Sequence, residues 1–183
     1  MRYIAKFIMW IAGWKYVGEI PKENKSVVAA VPHTSGWDFF WGEMAFLSIG
    51  LPTYILMKKE YFFFPLGVLL RALKVIPVDR GKKDSQLVDQ LIDEFGRRKR
   101  IHLCITPEGS RKKRKKWKKG FLVIANAVNV PVHLGRLDYK RKEVTVGPIF
   151  QPTGDIEADM KYIMSTYRDA NPKYPENFYS GED

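Results

Sequence analysis

Apolar residues recur along this chain in two alternating rhythms. Leu87, Val88, Leu91, Ile92 and Phe95 repeat with helical period and predict a helix over residues 85–98. Short unbroken apolar runs at 26–31, 53–57, 75–78 and 102–106 predict buried strands, with further strands near 131–137 and 143–146. Helices are expected over 37–48, 117–128 and 156–168, and a helical hydrophobic stretch over 61–73. Strands alternating with helices predict an α/β fold: a central, largely parallel sheet flanked by helices.

The two ends read differently. Ile4, Phe7, Ile8, Ile11 and Trp14 lie at helical spacing among Arg2, Lys6 and Lys15, which predicts an amphipathic helix within residues 1–20 lying in a membrane interface. The competing reading is a terminal helix packed on the protein's own core. Residues 1–20 lack the clean apolar centre of a secretory leader, and no apolar segment is long enough to span a bilayer. The very apolar run from Tyr61 to Leu70 is read first as a buried helix, or, if exposed, as a second interfacial contact or a wall for an acyl chain. Residues 21–170 form the catalytic unit in this reading, and 171–183, with Pro172 and Pro175, an irregular surface tail.

At 183 residues the chain suits one α/β domain, and 45% hydrophobic content makes it globular. Its sole cysteine, Cys104, sits in an apolar strand and reads as buried rather than nucleophilic; no metal-ligand spacing occurs, so no metal is expected. The net charge of +11 is concentrated in one place, because the run from Arg111 to Lys119 carries eight positive charges and leaves +3 for the remainder. Such a cluster suits anionic phospholipid, a nucleotide-like phosphate donor, an acidic carrier protein or nucleic acid.

Three expected strands end in residues that carry chemistry. The first is followed by Pro32-His33-Thr34-Ser35-Gly36-Trp37-Asp38, a corner that can bring His33 and Asp38 together although a straight helix would not. A carboxylate holding one imidazole nitrogen makes the other a general base. The same spacing, Ser35 to Asp38, also fits a capping arrangement at a helix start. The next two strands lead into Asp79-Arg80-Gly81 and Thr106-Pro107-Glu108-Gly109-Ser110-Arg111. In a parallel sheet these loops converge beyond the carboxyl edge, bringing Arg80 and Arg111 toward the pair. A guanidinium fork there can hold a phosphate, Glu108 can accept from a substrate hydroxyl or brace the arginines, and Gly109 permits a tight turn. His102 and His133, both inside apolar strands, are read as structural.

Taken in order, these blocks resemble the glycerolipid acyltransferase family, which includes the 1-acylglycerol-3-phosphate (lysophosphatidic acid) acyltransferases. The His-x4-Asp block is His33 to Asp38, the second is Val78-Asp79-Arg80, the third is Thr106 to Arg111 with Thr106 where Phe is usual, and the fourth is Val130 to Leu134. The resemblance implies acyl transfer from a thioester, acyl-CoA or acyl-ACP, to a lysophospholipid hydroxyl. His33 and Asp38 would be catalytic, and Arg80, Glu108, Gly109, Ser110 and Arg111 would hold the acceptor. The donor is a co-substrate and no cofactor is expected. The expected location is the cytoplasmic face of a membrane, peripheral or monotopic, with the phospholipid surface as partner and no nucleic acid. Competing readings are another acceptor such as a lyso-aminolipid, a thioesterase using water, and a non-catalytic membrane- or nucleic-acid-binding protein.

Overall fold

A computed structural model describes residues 1–79 and 84–181. The fold is α/β, with a seven-stranded sheet in the order β1-β7-β6-β2-β5-β3-β4. The strands are β1 Lys15–Val17, β2 Lys25–Val31, β3 Thr53–Lys58, β4 Val75–Val78, β5 Ile101–Ile105, β6 Val132–Asp138 and β7 Glu143–Phe150. All neighbouring pairs are parallel except β6 with β7, joined by the short turn after Asp138. The helices are α1 Arg2–Ala12, α2 Trp37–Ile49, α3 Leu66–Ala72, α4 Asp84–Arg97, α5 Gly120–Ala127 and α6 Ile156–Ser165.

The central strands β2 and β5 are almost wholly buried, as their continuous apolar runs require of strands covered on both faces. One face packs Val27, Ala29, Leu103 and Val132 against Leu91, Phe95, Phe121 and Ile163 of α4, α5 and α6. The other packs Val28 and Cys104 against Phe46 of α2. Burial pushes the Cys104 thiol up to about 12, so it stays a thiol. His102 and His133 occupy the second positions of β5 and β6, near the amino ends of those strands. They are held by Ser26 Oγ at 2.8 Å and Glu23 Oε2 at 3.2 Å. They stand at the opposite edge of the sheet from the loops that follow the strands.

Several expected elements take other forms. The first helix stops at Ala12 because Gly13 turns left-handed (φ 72) and donates its amide back to Trp10 O, closing the helix. The next residues form β1, an edge strand paired with Glu143–Thr145, inside the stretch expected to be wholly helical. The hydrophobic segment 61–73 is helical only over α3, since Pro65 has no amide to donate and stands just before the helix. The expected helix over 117–128 starts at Gly120, because Trp117 is instead buried against Tyr167 and Phe178 and pins the basic loop to the core.

Of the alternatives weighed for α1, packing on the protein's own core holds for one face, and the other face is left exposed. Ala5 and Met9 are buried, Met9 packs with Ala45 of α2, and Arg2 Nε donates to Ser48 O at 3.1 Å, so the helix runs antiparallel to α2. Ile4, Phe7, Trp10 and Ile11 point outward, with Trp10 75% exposed. The loop before α3 leaves Phe63 and Phe64 in solvent too, the latter 85% exposed.

Candidate active site

The parallel strands deliver their following loops to one edge of the sheet, and the site is assembled there. β2 runs into the corner at His33, and α2 begins immediately beyond it with Asp38 in its first turn. His33 Nδ1 lies 3.2 Å from Asp38 Oδ2. That oxygen also accepts the amides of Thr34 and Ser35, each at 2.7 Å, and Oδ1 accepts the Tyr139 hydroxyl at 2.6 Å. Asp38 is buried and His33 half-buried. The capping and catalytic readings of Asp38 are therefore compatible: one carboxylate fixes the backbone of the corner and orients the imidazole. With Nδ1 facing Asp38, the ring's remaining nitrogen, Nε2, is the one placed to meet a substrate.

The loop after β5 braces this corner from the adjacent strand. Glu108 is buried, and its Oε1 accepts the amide of His33 at 2.6 Å. Burial pushes the Glu108 carboxyl up to about 8, with the neighbouring Asp38 charge acting in the same direction. At neutral pH it is therefore mostly protonated, which avoids a second negative charge beside Asp38. Gly109 has φ +63 and a Cβ there would approach the Lys118 side chain to 3.2 Å, so the turn requires glycine. Ser110 Oγ accepts the amide of Lys112 at 3.1 Å.

An open cleft of about 840 Å³ lies beside the corner, lined by residues that include Thr34, Trp37, Phe40, Ser110, Arg111 and Tyr174. Arg111 Nη1 lies 3.2 Å from where a Cβ would stand on Gly36, so its guanidinium lies against the backbone of the corner. Of the expected acceptor-binding residues, Ser110 and Arg111 line the cleft, whereas Glu108 is buried behind it. Arg80 lies outside the described residues. Asp79 before it pairs with Lys59 at 2.5 Å, and β4 is the edge strand, three places from β2.

Backbone amides near the helix start are attractive donors for a developing oxyanion, yet most are already engaged. The amides of Thr34 and Ser35 go to Asp38, that of His33 to Glu108, and that of Trp37 to Ser35 Oγ at 3.2 Å. Gly36 keeps an amide with no acceptor among the described residues.

Sequence reasoning missed Tyr139. It follows β6, so the strand-end rule applied to the other strands pointed to it as well. Its ring packs edge-on against Trp14 with centroids 5.0 Å apart, and its amide donates to Asn171 O at 2.9 Å, which fixes the hydroxyl on Asp38. Tyr139→Phe removes one of the donors to Asp38 while keeping the ring. We expect a fall of about ten- to a hundredfold in kcat, the worth of one hydrogen bond to a charged group, with KM little changed. A kcat equal to the parent's would show that Asp38 needs no such support.

Comparison with curated proteins gives no match, and neither does comparison with solved structures. The family model described as Acyltransferase matches residues 15–134, from β1 into β6. That span holds His33, Asp38 and the whole Glu108 to Arg111 loop, whereas Tyr139 and Tyr174 lie beyond it. With the match covering most of the chain and the His33–Asp38 corner inside it, this protein belongs to the acyltransferase family.

Proposed function

We propose that the chain moves a fatty acyl group from acyl-CoA or acyl-ACP to the free hydroxyl of a lysophospholipid, with 1-acylglycerol-3-phosphate as the acceptor. The observation that carries this reading is the His33–Asp38 pair beside a cleft that also holds Arg111. His33 Nε2 takes the proton of the acceptor hydroxyl while its oxygen attacks the thioester carbonyl. Asp38 stabilises the imidazolium that results. The tetrahedral intermediate then collapses, the C–S bond breaks, and the imidazolium returns its proton to the departing sulfur. A thiolate leaves readily, so the sequence of steps requires neither a metal nor an acyl-enzyme. Negative charge on the carbonyl oxygen falls to the Gly36 amide, which has no acceptor among the described residues, and the acceptor phosphate to Arg111, with Arg80 assigned the same task from sequence alone.

A thioesterase would use the same pair on water and could turn the cation to the phosphates of an acyl-CoA donor, so the products decide between the two. Mass spectrometry of products from acyl-CoA plus 1-acylglycerol-3-phosphate separates the readings. Diacylglycerol phosphate is expected; free fatty acid alone would establish the hydrolase, and acylation of an offered lyso-aminolipid in its place would change the acceptor.

Where the lipid is met follows from the exposed apolar residues of α1 and the Phe63–Phe64 loop, together with the basic run from Arg111 to Lys116. Apolar side chains entering the interface beside cations that attract anionic headgroups describe peripheral attachment. Among the described residues no helix is long and apolar enough to cross a membrane. The protein is expected to float with vesicles containing anionic phospholipid, less so in high salt, and to be weakened by Trp10→Ser combined with Phe64→Ser. A protein that stays wholly in the soluble fraction would remove this assignment.

A further inference from the structure

Residues 171–174, within the stretch expected to be an irregular surface tail, are strapped across the site. Asn171 is tied twice: its carbonyl takes the Tyr139 amide, and its Nδ2 donates to Asp138 Oδ2 at 2.8 Å. Three residues on, the Tyr174 amide donates to Thr34 Oγ1 at 3.3 Å. Pro172 between them is buried. Lys173 is thus held from both sides, and its ammonium sits 5.4 Å from the ring centroid of Trp37, 6.0 Å from that of Tyr139 and 5.8 Å from that of Tyr174.

Three aromatic faces orient this ammonium but supply no negative charge to match it. Lys173 is half-buried and has no carboxylate or other hydrogen-bond acceptor among the described residues. A partly desolvated, unneutralised cation has a standing electrostatic preference for an anion. Two of its rings, Trp37 and Tyr174, line the cleft that also holds Arg111. We infer that Lys173 is a substrate-binding residue that, with Arg111, grips the phosphate of the acceptor. Arg111 supplies a planar fork from the loop after β5, and Lys173 supplies a point charge from the C-terminal strap. The acceptor's hydroxyl would then be presented to His33 from a headgroup held by two separate segments. This rests on the acyl-transfer reading for the identity of the substrate, but the anion site itself does not.

Two measurements test it. Lys173→Met keeps the apolar stem against the rings and removes the charge, while Lys173→Arg restores a cation. Loss of one charge-assisted contact should raise KM for 1-acylglycerol-3-phosphate about tenfold or more. KM for acyl-CoA and kcat should stay near the parent's, and Lys173→Arg should recover most of the loss. In parallel, acetylation of Lys173 by an amine-reactive ester, followed by mass spectrometry, should be slowed by sn-glycerol 3-phosphate and not by glycerol, with exposed Lys140 as the internal reference. An unchanged acceptor KM, a rise confined to the KM of the donor, or no protection by glycerol 3-phosphate would each overturn the assignment. Should the parent transfer no acyl group at all, the function proposed above fails, and the protection measurement still decides whether Lys173 binds phosphate.

Discussion

His33→Ala is expected to lower acceptor-dependent acyl transfer by about 10²–10⁴-fold, the usual contribution of a positioned general base. The loss should appear in kcat, because the cleft walls and Arg111 are untouched and the acceptor still binds. Folding should survive for a specific reason. Asp38 retains the amides of Thr34 and Ser35 and the hydroxyl of Tyr139, and Glu108 holds the backbone of residue 33 rather than its side chain. The buried carboxylate is therefore not left without partners. Steady-state kinetics alongside a thermal melt check both halves: a large fall in kcat with a Tm near the parent's is the expected outcome. A near-normal rate would mean that another group takes the proton.

Asp38→Asn should cost nearly as much in rate, about 10²–10⁴-fold, through loss of the charge that stabilises the imidazolium. The amide is nearly isosteric. Its oxygen can take the position of Oδ2 and accept from Thr34 and Ser35, and its nitrogen can donate to a Tyr139 hydroxyl that rotates to accept. Asp38→Ala, by contrast, strands those buried donors and should destabilise the fold by roughly 1–3 kcal/mol for each group left unsatisfied. Comparing the two by chemical denaturation and by kcat separates the roles that Asp38 combines. Equal stability of the two variants would show that the backbone of the corner does not depend on the carboxylate.

How much of this was legible before the fold was known depended on whether a signal was local. Continuous apolar runs marked β2 and β5 because both faces of those strands are covered, and the rule that ligands gather beyond the carboxyl edge of a parallel sheet brought His33, Asp38 and Arg111 to one place. β1 was not legible, since Trp14 continues the helical stripe of Ile4, Phe7, Ile8 and Ile11 and only the left-handed Gly13 stops it. Lys173 and Tyr174 carried no motif at all. Their position comes from contacts made with Thr34, Trp37 and Tyr139, more than thirty residues away along the chain, which periodicity cannot report. Asp38 was posed as either a cap or a catalytic orienter because spacing cannot show that one carboxylate has lone pairs enough for both.

Transfer to a lysolipid hydroxyl at the His33–Asp38 corner makes thiol release the decisive readout. The most direct test is thiol release from a long-chain acyl-CoA, measured with and without 1-acylglycerol-3-phosphate, for the parent protein and for His33→Ala. Release should depend on the acceptor in the parent and be all but lost in the variant. Release at the same rate without acceptor, or acceptor-dependent release undiminished in His33→Ala, would contradict this assignment.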